Sequence, residues 1–374
     1  KKYYFCTQHS ILQTTFCNNT YIKRMNNIKK ILVVRFRQMG DAILSTSLLN
    51  TLRQSFPNAQ IHFVLNDKIA PLFEGHPSID RLITFTEEER HSAFTYAKKV
   101  WKTVHQEHYD VIIDMRSTFN TMLFALFSPS TKYRIGLKKG YTKLAFNHTV
   151  LRNTQTSMVY YNSHLASALE SETEIKYTND FTLVITDKEK QEYGKYLVDQ
   201  GINLDKPIML ANVTAKLANK VWNEDKMVEV LRRFMNSHPD VQTIFNYAPG
   251  NEEENARRIY DKLGKPSQVF IDVKAKSSRQ LVALSGFISI FFGNEGGARH
   301  IAQAAGAPSL VICAPGNLTE IWIPKNSIPA EGISPSNFLT KEQQETMTRE
   351  QQYDAINQNI VSQKLEEFYS KIAK

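Results

Sequence analysis

Short apolar runs alternate with longer stretches of helical periodicity, and this alternation constrains the 374-residue chain more than any other feature. The first run, residues 31–34, is apolar at every position, as expected of a central strand that is covered on both faces. Residues 42–56 follow with apolar side chains at helical spacing, and residues 60–65 form the next strand-like run. Strands that alternate with helices need crossover connections, so the sequence predicts an α/β fold with parallel sheets.

The alternation occurs as two separate series, which predicts two domains. The second series has strand-like runs at residues 207–213, 241–247, 269–272, 287–292 and 309–313. We predict an N-terminal domain at residues 25–186 and a C-terminal domain at residues 187–339, followed by surface helices at residues 340–374. Residues 1–24 lack a continuous apolar region, so we expect a poorly ordered leader and not a secretory signal.

Composition excludes several classes of protein. Apolar residues make up 42% of the chain, enough to bury real cores, and the net charge of +9 attracts polyanions without identifying one. No run approaches the roughly 18 apolar residues that span a bilayer. Three cysteines are too few for a disulfide framework and point to a reducing compartment, and Cys313, in an apolar run, is interpreted as a small core residue.

The loop after the first strand combines two arginines with a glycine and a carboxylate. Ligands of α/β proteins bind beyond the carboxyl ends of the strands, which is where Arg35, Arg37, Gly40 and Asp41 stand. Asp41 could cap the following helix, the more common role for an isolated Gly–Asp pair. It could instead take a proton from an incoming hydroxyl, with Arg35 and Arg37 either attracting an anionic acceptor or lowering the pKa of the carboxylate.

The most informative loop lies at residues 293–300, between a strand and a helix of the second series. Gly296 and Gly297 would let a diphosphate approach free amides at the positive end of that helix. Glu295 and His300 are about one helical turn apart and could share the ligand. The alternative is a glycine-rich turn that serves packing only, but the charged side chains favour a binding site.

Two other loops of the second series carry candidate phosphate and ribose contacts. The strand at residues 207–213 is followed by Thr214, Lys216 and Lys220. Their hydroxyl and two ammonium groups could contact a phosphate. The alternative is that these side chains are simply solvated. Glu252 opens a helix, where it complements the dipole or accepts from ribose hydroxyls.

The first series carries candidate acceptor contacts. Asp114 and Arg116 lie at the end of a strand, and the basic run at residues 131–143 includes Lys138 and Lys139. This run could contact a phosphorylated or lipid-linked acceptor or a nucleic acid, although most such runs are solvated loops. The motifs of dinucleotide-binding, P-loop and α/β-hydrolase proteins are absent from the sequence.

Residues 35–41, Lys220-Val221-Trp222 and residues 293–300 resemble, in order and spacing, the motifs of bacterial glycosyltransferase family 9. Its best-known members are the ADP-heptose–lipopolysaccharide heptosyltransferases, and the resemblance covers about residues 26–324. It implies a GT-B fold, in which two Rossmann-like domains face a cleft, with the acceptor on the N-terminal domain and the nucleotide-sugar on the C-terminal one. It also implies that the tail helix crosses back onto the N-terminal domain.

The resemblance further implies an inverting transferase without metal or cofactor. The enzyme would move a heptose or a similar sugar from an ADP-sugar to a lipopolysaccharide inner-core or other anionic glycolipid acceptor. It would work at the cytoplasmic face of the inner membrane, with no nucleic-acid partner. Asp41 matches the family's general base. Lys220 matches a lysine that contacts the phosphate and is important for catalysis. The implied donor-binding residues are Thr214, Lys216, Glu252, Glu295, Gly296, Gly297 and His300.

Three positions depart from the family's pattern. Glu295 replaces the usual aspartate, so its carboxylate is displaced by about one bond length and its contact with the donor sugar is expected to differ. Arg299 replaces a small or apolar residue, and Asn120 stands where many members have a basic one. Two alternatives remain at this point: a sugar-nucleotide epimerase of the same architecture, and a noncatalytic basic protein that binds nucleic acid or anionic lipid.

Overall fold

The computed structural model describes residues 28–152, 156–316 and 319–373 of the chain. The expected poorly ordered leader, residues 1–24, lies outside these ranges. Within them, two parallel β-sheets are each flanked by helices, which confirms the predicted α/β class and the two series of strands.

The first sheet has six parallel strands in the order β3-β2-β1-β4-β5-β6. Its strands are β1 Lys30–Val34, β2 Gln60–Asn66, β3 Arg81–Phe85, β4 Val111–Asp114, β5 Tyr133–Leu137 and β6 His148–Val150. The central strand β1 pairs with β2 on one side and β4 on the other, and its apolar residues are buried. The strand order reverses between β1 and β4, which opens a crevice between the loops that follow these two strands.

The second sheet has five parallel strands in the order β11-β10-β9-β7-β8. Its strands are β7 Ile208–Asn212, β8 Gln242–Phe245, β9 Ile290–Asn294, β10 Ser309–Ile312 and β11 Ala330–Ile333. Here the order reverses between β7 and β9, so the loops after these strands form the equivalent crevice.

The helices connect and cover the strands. In the first half and the segment that follows it, they are α1 Met39–Leu44, α2 Thr46–Ser55, α3 Glu87–His91, α4 Ala93–Glu107, α5 Phe119–Leu126 and α6 Met158–Ser163. In the second half and the tail, they are α7 Asp187–Asp199, α8 Glu224–Ser237, α9 Asn251–Lys262, α10 Ser278–Ser285, α11 Gly297–Ala304, α12 Thr319–Trp322, α13 Lys341–Thr346, α14 Arg349–Asp354 and α15 Gln358–Ile372. None of the helices in the described ranges has the length and apolarity needed to cross a membrane.

The chain segment between the two sheets joins their cores. Phe181 and Leu183 are buried in the same apolar cluster as Leu48 of α2 and Ile301 of α11. The Leu183 amide also donates to the carbonyl of Ala304 at 2.8 Å. The two halves are therefore packed together and not merely tethered.

The tail packs on the second half, which contradicts the expectation that it crosses back onto the N-terminal domain. Leu365 and Phe368 of α15 belong to the buried cluster of the second sheet, together with Phe234 of α8. The Nε2 of His238 lies 2.7 Å from the Glu366 carboxylate beside this contact. The reason is that α8 presents an apolar face outward, and α15 covers it.

Two expectations about single elements were also wrong. The helix predicted at residues 42–56 is divided into α1 and α2 at Ser45, whose hydroxyl donates to the Asp41 carbonyl at 2.8 Å. The strand predicted at residues 269–272 is only an isolated bridge between Thr243 and Val269.

Candidate active site

A cavity of about 400 Å³ lies where the crevices of the two sheets face each other. From the first half its wall includes residues 38–41, in the loop and helix that follow β1. From the second half it includes seven polar, charged or glycine positions: Lys216, Lys220, Glu295, Gly296, Gly297, Arg299 and His300. The structure therefore confirms that Asp41 and the loop at residues 293–300, predicted from distant parts of the sequence, share one cavity.

Glycines allow the starts of α1 and α11 to approach each other across this cavity. A Cβ atom added at Gly40 would lie 2.9 Å from Cδ2 of His300, closer than real contacts allow. A Cβ atom added at Gly297 would lie 2.3 Å from Cε of Met39. A side chain at Gly40 would require the His300 ring to shift, and one at Gly297 would require the flexible end of Met39 to move.

Two arginines hold the Asp41 carboxylate. Nη2 of Arg35 donates to its Oδ1 at 3.0 Å, and Nε of Arg37 lies 3.3 Å from its Oδ2. Asp41 thus points its carboxylate at guanidinium groups rather than at the amides of its own helix. The Arg37 contact is the weaker one, because much of the Arg37 side chain is in solvent.

Arg35 supports Asp41, and its contact with an acceptor stays a prediction. It is only 4% exposed, and its Nη1 also donates to the carbonyl of Met115 at 2.9 Å. Burial lowers the pKa of Arg35 to about 10, which leaves the guanidinium charged at neutral pH. A charged group held in this way fixes the direction of the Asp41 carboxylate.

Lys220 and Glu295 form an ion pair on the opposite wall. Nζ of Lys220 donates to Oε1 of Glu295 at 2.6 Å. Lys220 ends a short 3₁₀ turn at Ala218–Lys220, and Glu295 directly follows β9. The ammonium group therefore reaches the wall where Gly296 and Gly297 begin α11, whose first amides have no acceptor within the helix.

Arg299, one of the departures noted in the sequence, lies beneath His300. Its Nη2 donates to Nδ1 of His300 at 2.9 Å and to the carbonyl of Trp322, and its Nη1 donates to Oε1 of Gln303 at 2.5 Å. Burial lowers the pKa of Arg299 to about 10. Burial, and then the neighbouring Arg299 charge, hold the pKa of His300 well below its usual value, so its imidazole is neutral at neutral pH.

Asparagines connect the loops of the second half through hydrogen bonds, and the sequence did not predict this role. Nδ2 of Asn212 donates to the carbonyl of Asn294 at 2.8 Å, and Nδ2 of Asn246 donates to Oδ1 of Asn212 at 2.8 Å. Oδ1 of Asn294 accepts from the Trp222 amide at 2.8 Å. Asn212 and Asn294 are the last residues of the neighbouring strands β7 and β9, and a polar residue at the end of a buried strand is the signal that could have revealed them.

Two predicted donor contacts lie outside the cavity wall. Oγ1 of the buried Thr214 donates to Oε2 of Glu252 at 3.1 Å. The same Glu252 oxygen accepts from the Ala248 amide at 3.4 Å. The two side chains stabilise the loops after β7 and β8. The contact of Thr214 with a phosphate and that of Glu252 with a ribose stay predictions.

The predicted acceptor residues do not form one cluster. Asp114 is fully buried, and its Oδ1 accepts from the amides of Arg116 and Ser117 at 2.9 and 2.8 Å, while its contact with an acceptor stays a prediction. Nζ of Lys139 donates to the carbonyls of Arg116 and Ser117, and Lys138 is exposed. Arg116 lines a second cavity of about 470 Å³, together with Asn120.

Comparison with known proteins identifies the family. The profile of glycosyltransferase family 9 (heptosyltransferase) matches residues 97–351, which is more than half of the chain. Lipopolysaccharide heptosyltransferase 1 from Campylobacter coli is 21% identical over 291 residues, covering 76% of this chain and 83% of that protein.

Solved structures agree on the fold. A glycosyltransferase family 9 protein from Veillonella parvula superposes with a TM-score of 0.78 at 16% identity, covering 92% of this chain and 98% of that one. The ADP-heptose lps heptosyltransferase II from E. coli superposes with a TM-score of 0.69 at 18% identity, covering 92% of this chain and all of that one. These likenesses confirm the GT-B fold. The chain belongs to glycosyltransferase family 9 (heptosyltransferase) and is a glycosyltransferase.

Proposed function

We propose that the protein transfers a heptose from ADP-heptose to the inner core of a lipopolysaccharide, inverting the anomeric carbon and using no metal ion. One observation carries the proposal: Asp41 shares a cavity with Lys220 and the Gly296–Gly297 turn. The named activity of the Campylobacter coli relative and the ADP-heptose in the name of the E. coli structure support the choice of sugar and nucleotide. Family membership also argues against the noncatalytic alternative.

The chemistry of such a transfer fits the two walls of the cavity. An acceptor hydroxyl near Asp41 loses its proton to the carboxylate as its oxygen attacks the anomeric carbon. The bond from that carbon to the diphosphate breaks on the opposite side, which inverts the configuration. Negative charge grows on the departing ADP, where the Lys220 ammonium and the first amides of α11 stabilise it electrostatically.

Binding of the donor would act on the ion pair between Lys220 and Glu295. A diphosphate carries more negative charge than one carboxylate and would compete for the ammonium group. The Glu295 carboxylate then accepts a hydrogen bond from a hydroxyl of the donor sugar. This gives the longer carboxylate at position 295 a role in the choice of sugar.

The proposed acceptor is a glycolipid, so the enzyme would work at the cytoplasmic surface of the inner membrane. The excess of basic residues, which gives the chain its net charge of +9, suits an acceptor and a surface that are both anionic.

The test combines transfer with nucleotide binding. Asp41→Asn should lower the transfer rate by about 10²- to 10⁴-fold while the protein is still stabilised by ADP in a thermal-shift assay. Asp187→Asn is the matched control, because Asp187 is an exposed carboxylate in the first turn of α7, and it should transfer normally. Wild-type transfer should persist in EDTA and give a product of inverted configuration.

Each part of the proposal can fail separately. Transfer at the wild-type rate by Asp41→Asn would remove Asp41 as the base. Stabilisation by UDP or GDP, but not by ADP, would contradict the proposed donor. Conversion of the donor sugar in the absence of any acceptor would favour the epimerase alternative.

A further inference from the structure

Helix α5 exposes large apolar side chains on one face. Phe119 and Leu126 lie on one face of the helix, seven residues apart, and Phe119 is 73% exposed. The opposite face is packed, because Phe124 is fully buried in an apolar cluster of the first sheet. Leu144, close to Phe146 in sequence, is 84% exposed. Large aliphatic and aromatic side chains so fully in solvent indicate a contact surface.

The loop at residues 138–144 is fixed against the start of α5. The ring of Tyr141 stacks on that of Phe119 with centroids 4.9 Å apart and an interplanar angle of 15°. The Tyr141 hydroxyl donates to the carbonyl of Ser117 at 3.1 Å, and Nζ of Lys139 donates to the same carbonyl at 2.8 Å. Helix and loop therefore form one continuous surface, here called the α5 patch: Phe119, Leu126, Tyr141, Lys143 and Leu144.

The surroundings of the α5 patch are basic. From Met115 to Arg152 the chain has seven lysines and arginines and no aspartate or glutamate. Lys138 and Lys143 are exposed beside the apolar side chains. Exposed aliphatic groups next to lysines are typical of surfaces that enter the interface of an anionic bilayer. Nucleic acid is less suited to this surface, because two of its four large apolar side chains, Leu126 and Leu144, offer no ring on which a base can stack.

The position of the α5 patch in the fold is consistent with contact with an anionic bilayer. Helix α5 follows β4, so its first residues lie at the same edge of the first sheet as the loop that carries Asp41. The second cavity, lined by Arg116 and Asn120, opens next to Phe119, which also lines it.

We propose that the α5 patch docks the protein on an anionic lipid bilayer, with Leu126 and Leu144 inserted among the headgroups and Lys143 on the lipid phosphates. The choice of a bilayer rests on the proposed function, whose acceptor is anchored in a membrane. Docking at this edge of the sheet would bring the saccharide of a glycolipid to the cleft without lifting its acyl chains out of the bilayer.

The experiment measures sedimentation of the full chain with vesicles. The wild type should bind vesicles of phosphatidylglycerol and phosphatidylethanolamine and not vesicles of phosphatidylcholine alone. The double variant Leu126→Ser/Leu144→Ser should bind about tenfold more weakly, because two apolar side chains no longer insert. Lys143→Glu should also weaken binding about tenfold or more, and added salt should reproduce its effect.

Matched controls come from the second half of the chain. Val198→Ser removes an exposed apolar side chain from α7, and Lys188→Glu reverses an exposed charge on the same helix. Both should sediment like the wild type. Thermal unfolding of every variant at the same temperature as the wild type shows that the fold is intact.

Several results would overturn the proposal. The first is failure of the wild type to bind anionic vesicles. The second is an equal loss of vesicle binding in the Val198→Ser and Leu126→Ser/Leu144→Ser variants. The third is loss of vesicle binding only when Phe94, an exposed residue of α4, is replaced by serine. Binding of RNA that depends on Lys143 but not on the leucines would also overturn it. Vesicle binding through the α5 patch by a protein that ADP does not stabilise would support docking while contradicting the proposed function.

Discussion

Arg35, Arg299 and His300 surround the cleft with side chains that are largely withdrawn from water. Burial disfavours the charged form of each group, but the two arginines keep their charge because carbonyl and amide oxygens accept their hydrogen bonds. Polar groups held in this way do not have to reorganise during a reaction. Asp41 and His300 are therefore oriented before any ligand arrives.

His76 provides a pH-dependent test at the scale of a single residue. It is buried, its Nδ1 accepts from the Ser78 amide at 3.1 Å, and its Nε2 lies 3.0 Å from Oγ1 of Thr182. Burial lowers its pKa to about 4, so below pH about 6.5 the unfolded chain binds a proton that the folded protein does not. This residue alone should lower the free energy of unfolding by about 2 kcal/mol between pH about 7.5 and pH about 5.

The measurement is urea unfolding at the two pH values for the wild type and His76→Gln. The loss of stability on acidification should be about 2 kcal/mol smaller in His76→Gln. His105→Gln, a substitution at an exposed histidine of α4, is the control and should follow the wild type. Equal pH dependence in all three proteins would show that His76 is protonated as easily when folded as when unfolded.

At the scale of elements, the cavity depends on where helices begin. Helix α1 begins after β1 and α11 begins after β9, both at strand ends next to a reversal of strand order. The glycines in their first turns remove the side chains that would hold the two helix starts apart. A glycine near a charged residue at each helix start therefore allows the two helices to pack closely and also leaves room for a ligand.

The contact of α15 with α8 makes a second prediction. Leu365 is fully buried in the cluster of the second sheet, so Leu365→Ala should lower the free energy of unfolding by about 2–5 kcal/mol. Ile360, on the same helix but exposed, is the control, and Ile360→Ala should change stability by less than about 0.5 kcal/mol. Urea unfolding gives both values. Equal effects of the two substitutions would contradict the packing of the tail described above.

At the scale of the whole molecule, Arg279 connects three parts of the chain. From α10 its Nε and Nη2 donate to the Glu189 carboxylate, each at 2.7 Å. Its Nη1 donates to the carbonyl of Val184 at 2.7 Å and to that of Glu74, in the first half, at 3.2 Å. The Arg279 guanidinium holds the pKa of Glu189 at about 2, so the ion pair persists throughout the neutral range. This residue therefore helps to set the orientation of the two halves.

Arg279→Gln should loosen that orientation. The cleft would close less reproducibly on a donor, so we expect a severalfold higher KM and a broader distance distribution in small-angle X-ray scattering. Arg232→Gln, which removes an exposed ion pair from α8, should change neither quantity. An unchanged KM and scattering profile in Arg279→Gln would mean that the joined cores of the two halves are sufficient to fix the cleft.

The sequence by itself determined the α/β class, the two series of strands and the loops that line the cavity, because periodicity and strand-end polarity are local properties. It also indicated the family, through Asp41, Lys220 and residues 293–300. Only the tertiary structure decided which charged residues are buried: Arg35 and Asp114 lie in the interior and form hydrogen bonds with neighbouring loops. Burial depends on which distant segments cover a residue. The same reason applies to the tail: its apolar face could have packed on either half, and only the structure shows that it covers the apolar face of α8.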